Sequence, residues 1–171
     1  MRVCLGFGLT LTFVLTAADP NLYAKARAFY YEAVDGRKEA VQEARVLFTK
    51  LRETDGDNAK VLAYAGSIEL MEASRAVAPW KKGRLSKEGL QLLDKAVSRA
   101  PEDLEVRFVR AASTFRLPGM FGRSAQSEED FAWLAPRVSA AAASGAIDAR
   151  LAAAVLRHHR LIKERKDMKR N

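Results

Sequence analysis

Residues 78–123, APWKKGRLSKEGLQLLDKAVSRAPEDLEVRFVRAASTFRLPGMFGR, decide the fold. Gly89, Leu93 and Ala96 fall at i, i+4 and i+7, and Pro101 follows. Leu90, Leu93, Ala96, Val97 and Ala100 form an apolar stripe at helical period, with Lys87, Glu88, Gln91, Asp94, Lys95 and Arg99 left to face water. Ser86 is expected to cap this helix, and Pro101 to stop it, because proline lacks an N–H and clashes with the preceding turn. Small residues at 89 and 96 would let a neighbouring helix approach closely.

A small, a large and a small residue followed by a helix-ending proline resemble the second helix of a tetratricopeptide repeat. Further features are similar to a group of exported bacterial repeat-like proteins: Pro79-Trp80-Lys81-Lys82, Glu88-Gly89, Ala96-Val97, Pro101, the run Glu105 to Arg110, and Pro118 to Gly122. The resemblance covers roughly residues 62–122. It implies helical hairpins with an inserted Pro-Trp loop, and it brings no activity, cofactor or binding residue. The chain departs from the repeat pattern in a weak first hairpin, an insertion in the second and an altered third.

The resulting expectation is an all-α fold of stacked helical hairpins, a short tetratricopeptide-like solenoid of about seven helices. With 171 residues and 49% hydrophobic content, one domain with a real core is expected. A charged fraction of 29% and five prolines argue against disorder. The net charge of +8 favours acidic partners.

Arg2 precedes an uncharged apolar run and then Asp19-Pro20, which predicts a signal peptide over residues 1–18 with cleavage after Ala18 or Ala17. A retained anchor is the alternative, although the run is shorter than the about 20 residues a spanning helix needs. The protein is therefore expected to be exported, periplasmic or secreted. Cys4 is the only cysteine, so the processed chain would hold neither disulfide nor thiol. Loss of Arg2 leaves 8 − 1 = +7. Export removes nucleic acid from the expected partners and keeps anionic envelope surfaces.

Residues 19–162 read as the helical-repeat domain. Asp19-Pro20 begins a helix carrying Leu22, Ala26, Phe29, Tyr30 and Ala33 inward, ending at Asp35-Gly36. Ala40, Ala44, Leu47, Phe48 and Leu51 form the second stripe. Asp57 is expected to cap a third helix with Leu62, Ala65, Gly66, Ile68 and Met71, wide enough in its apolar face to lie between neighbours. Residues 77–85 read as a loop inserted before the Ser86 helix. Asp103 would cap a helix with Leu104, Phe108, Ala111, Ala112 and Phe115 inward, ended by Leu117 and Pro118. Ser127 followed by three acids reads as another start, with Pro136 as a kink or break. The last helix, from about Ile147, would bury Leu151, Ala154, Val155, His158, Leu161 and Ile162, and residues 163–171 form a frayed basic tail.

Six residues are candidates for partner binding: Glu69, Trp80, Lys81, Arg107, Arg110 and Phe121. Trp80 is either a lid on the adjacent hairpin or an aromatic anchor beside lysines. Arg107 and Arg110, with Thr114 on the same face, either face solvent or take carboxylates bidentately. Met120 and Phe121 either plug the core or offer a soft contact surface. Glu69 is expected to meet Arg110, Arg107 or Lys81 in a partly buried contact.

His158 and His159 are adjacent, so they point about 100° apart on a helix and are not expected to hold one metal. No phosphate loop, G-x-S-x-G or cysteine nucleophile occurs. The sequence thus predicts a non-catalytic scaffold without cofactor or metal, holding a protein or peptide in a helical groove. The alternative is a binder of anionic lipid or acidic polymer through the basic face and tail.

Overall fold

The computed structural model describes residues 20–168 and residue 170; the predicted signal segment lies outside them. Among the described residues there are seven α-helices and no strand: α1 (Pro20–Val34), α2 (Ala40–Thr54), α3 (Ala59–Arg75), α4 (Pro79–Arg99), α5 (Leu104–Thr114), α6 (Ser124–Ala143) and α7 (Ala149–Met168), with a 3-10 turn at Gly119–Phe121. The helices pair as α1/α2, α3/α4 and α5/α6, and α7 packs along α6. The expected all-α hairpin stack is the observed fold.

The central hairpin is the tightest seam. A Cβ placed on Gly66 would sit 2.7 Å from the Gly89 carbonyl oxygen, and a Cβ on Gly89 2.7 Å from that of Gly66. No real side chain tolerates that distance, so the two glycines permit α3 and α4 to touch backbone to backbone. Residues 61–68 of α3 are all buried, because α1, α2, α4 and α5 surround that helix. Its core is aromatic: Phe48 stacks on Tyr64 at 5.1 Å, and Tyr30 meets Tyr64 edge-on at 4.6 Å. A second cluster closes the far end, where Phe131 stacks on His158 at 4.9 Å and Phe115 meets both edge-on. His158 is accordingly a packed residue, its Nδ1 bonded to the Ala154 carbonyl at 2.8 Å.

Several local expectations are corrected. The predicted loop at residues 77–85 is mostly helix: α4 starts at Pro79, and the connection from α3 is only Ala76, Val77 and Ala78. Proline suits the first helical position, and the missing apolar period reflects missing neighbours, since residues 79–84 are all exposed. Ser86 is therefore an interior, buried residue and no cap. Asn58, not Asp57, caps α3, accepting from the Lys60 and Val61 amides. Asp57 instead binds Lys95 and Arg99 near the C-terminal end of α4, each at 3.1 Å.

α6 begins one turn earlier than expected, at Ser124, which places Ser127 and Asp130 inside the helix and buried. It continues through Pro136 without a break. α7 runs on to Met168, so residues 163–168 are helical and not frayed. Glu128 holds that last stretch to α6 through Arg165 and Lys166. Leu161 is exposed, contrary to the expected stripe.

Candidate functional site

The six candidate residues are dispersed. Trp80 and Lys81 lie exposed on the first turn of α4, and at 80% exposure Trp80 is no lid. Phe121 is half-buried against the core, while its neighbour Met120 is exposed.

The expected Glu69 contact with Arg107, Arg110 or Lys81 is absent. Glu69 points to α2, where Arg45 Nη2 lies 3.4 Å from its Oε1, and its Oε2 is buried without a partner. Burial raises its carboxyl above the usual range, with Arg45 pulling the other way. Arg107 and Arg110 face α6 instead. Arg110 donates twice to Asp130, from Nε to Oδ2 and from Nη2 to Oδ1, both at 2.8 Å, and Arg107 Nη1 adds a third bond to Oδ1 at 3.0 Å. Thr114, one turn on, meets Ser127 at 2.7 Å. The stripe of Arg107, Arg110 and Thr114 is thus an antiparallel helix seam.

A cluster that the sequence reading missed lies on the opposite side, where α1, α3, α5 and the start of α7 converge. Glu105, in the first turn of α5, is buried. Its Oε1 takes Arg27 Nε at 2.7 Å and the Tyr64 hydroxyl at 2.5 Å, and its Oε2 takes Lys60 Nζ at 3.0 Å. Arg27 also donates to Tyr64, to Tyr31 at 3.3 Å and to Asp148. Asp148 in turn accepts from the Leu151 amide at 2.7 Å, which fixes the start of α7. Arg150 reaches back from α7 to Asp35 and lies over the Tyr31 ring at 4.7 Å. α1 and the start of α7 are therefore tied together through this cluster. Tyr30, Ser67 and Ser113 extend the polar line one turn further, with Tyr30 to Ser67 at 3.0 Å and Ser113 to Ser67 at 2.8 Å.

The charges of this cluster are set by its burial. Burial, then the Glu105 charge, pushes the Tyr64 phenol far above its ordinary range, so it remains a proton donor. Burial also pushes Tyr23 up, and its hydroxyl is buried without a partner. Tyr30, likewise raised by burial, is pushed up to about 12. Burial alone would lower Lys60, but Glu105 and Asp103 outweigh it and hold the ammonium above its usual value. The result is a network in which Arg27 and Lys60 are paired with Glu105, Asp148 and Asp103, with Arg27, Tyr31, Lys60 and Asp148 only partly covered. Its partly covered rim offers hydrogen-bonding groups to a polar partner. Among the described residues no group of His, Cys, Asp and Glu could hold a metal ion.

The signal for this cluster was in the sequence. Tyr23, Arg27 and Tyr31 fall at i, i+4 and i+8, Lys60 and Tyr64 at i and i+4, each a polar line beside the apolar stripe. No family model, curated protein or solved structure matches this chain.

Proposed function

We propose that the protein is an exported, non-catalytic binding scaffold that holds an extended protein or peptide segment against the inner face of α1, α3 and α5. The observation that carries this reading is the convergence of Arg27, Tyr31, Tyr64, Lys60 and Glu105 from three helices onto one face, with a partly open rim. Tyrosine and arginine are the residue types that concentrate binding energy in interfaces. The proposed route of export is the N-terminal apolar run, and the proposed compartment is the periplasm or the exterior. No helix among the described residues is long and apolar enough to cross a membrane.

A photo-crosslinking residue at position 31, in the full chain in its producing cells, tests this. Discrete adducts are expected from position 31, reduced by Lys60→Glu, and absent from position 156 on the outer side of α7. Equal adduct patterns from the two positions would refute the groove.

A further inference from the structure

The third hairpin is shorter than the second, and the difference leaves part of α4 without a neighbour. α5 has 11 residues, against 17 in α3 and 21 in α4. Arg123, immediately before α6, already meets Asp94 at 2.8 Å. Asp94 lies 94 − 79 = 15 residues into α4, so the α5–α6 turn reaches α4 roughly 20 Å below its first residue at 1.5 Å per residue. Above that level, residues 79–84 are all exposed, and Leu85 is the first buried residue of the helix. Next to them Val77 is 97% exposed. An apex that presents Val77 and Trp80 together, each almost fully in water, is an unpartnered apolar surface.

Its charge says what covers it. Lys81, Lys82 and Lys87 follow Trp80 in sequence, all exposed, and none of them makes an ion pair within 4.0 Å among the described residues. The acids nearby are already engaged, Glu88 with Arg84 at 3.0 Å and Glu72 with Gln42 at 3.1 Å and Arg45 at 3.7 Å. The apex is an exposed helix corner. The clefts beside α2, lined by residues such as Arg45, Thr49 and Arg52, include none of its residues. A peptide anchor needs a pocket for its side chains, whereas a bilayer interface accepts a convex corner with an indole at its tip and cations behind it.

We propose that the α3–α4 apex is a membrane-docking edge: Trp80 and Val77 enter the interface of an anionic bilayer, and Lys81, Lys82 and Lys87 lie against its headgroups. This edge is separate from the inner face proposed to hold a peptide, so either can fail without the other. It also moves anionic-surface binding to α4 from the C-terminal segment, two of whose cations, Arg165 and Lys166, are engaged by Glu128.

The test uses the fluorescence of Trp80 in the full chain carrying Trp133→Phe, so that Trp80 is the only indole. Its emission reports its own surroundings, whatever else brings the chain to a vesicle. A blue shift and quenching by brominated acyl chains are expected with phosphatidylglycerol vesicles, and neither with pure phosphatidylcholine vesicles. Lys81→Glu with Lys82→Glu should weaken the response at least about tenfold, since each cation near an anionic surface is worth on the order of 1 kcal/mol. Val46→Ser, which removes a different exposed apolar side chain on α2, should leave it unchanged. Emission that stays red-shifted on anionic vesicles would overturn the proposal. So would an equal response to soluble polyglutamate, which would make an acidic polymer the ligand.

Discussion

Asp130 on α6 and Glu69 on α3 are both carboxylates set into seams between helices, and their surroundings are inverse. Asp130 is one acid served by two cations: Arg107 and Arg110 sit one turn apart on α5, and the antiparallel register places both guanidinium groups on it. At 1% exposure it has three N–H donors on its two oxygens. Arg107 is further held by stacking over Trp133 at 4.3 Å. On the α2–α3 seam one cation is divided between two acids. Arg45 stands 3.4 Å from Glu69 and 3.7 Å from Glu72, neither at good hydrogen-bond distance. The Oε2 of Glu69 is buried without a partner, beside a small cleft that Glu69 lines with Arg45, Thr49 and Arg52. The difference teaches that the register of the facing helix, more than the acid's own burial, decides whether a seam carboxylate holds the fold together or weakens it.

The largest effect that could break this comparison is at Asp130. Asp130→Ala leaves two largely buried arginines without their shared anion, and breaking a buried pair costs about 3–5 kcal/mol. Denaturant unfolding at neutral pH measures it, and a loss below about 1 kcal/mol would make the two seams equivalent. A smaller effect sharpens the assignment. Arg110→Met and Asp130→Leu should each destabilise, and the double variant should lose less than their sum by at least about 1 kcal/mol, because it leaves only Arg107 without its anion, whereas Asp130→Leu alone leaves both arginines without theirs. Strict additivity would mean that the α5–α6 seam is held by packing around Phe131 and Leu134 and not by the pair.

The seams also show what the sequence could and could not carry. Helix existence followed from apolar period, because period reports which face is buried: Ala26, Tyr30 and Ala33, or Phe108 and Ala111, are buried as read. Asp103 caps α5 as expected, since capping is decided within four residues. Partner choice across a seam is not local. It depends on helix lengths and turn lengths, and the start of α6 at Ser124 shifts which of its residues oppose Arg110. With Ser127 as the cap, Asp130 reads as a first-turn acid, and the adjacency of the inner faces of successive hairpins points Arg110 to Glu69. The same cause hid Glu105, whose place in a first turn reads as an acid at the positive helix end and not as the centre of a cluster. Residues 79–84 resemble a loop in sequence because period vanishes wherever a helix has no neighbour.

The smallest expected effect has the opposite sign and separates the seams by pH. Burial raises the carboxyl of Glu69, so its folded value lies above its unfolded one. A group shifted in that direction contributes most below the unfolded value, about 4.3 for glutamate, where it is protonated in both states. Its contribution is lost as pH rises through the folded value and the half-served carboxylate must ionise. Glu69→Gln keeps the shape, removes that titration and can donate from its amide. At pH 7 it should therefore be as stable as the parent or more stable, by up to about 1 kcal/mol. Arg45 opposes the gain without cancelling it, because its 3.4 Å contact serves only one oxygen. Acid also weakens the tie of α7 to Glu128, whose carboxyl is lowered first by its hydrogen bond to Lys166, but it does so in both proteins. The informative quantity is hence the difference in unfolding free energy between variant and parent, followed from pH 7 down to about 4. It should shrink toward zero. A variant clearly less stable at pH 7, whose deficit closes on acidification, would make Arg45–Glu69 a stabilising pair and erase the contrast with Asp130.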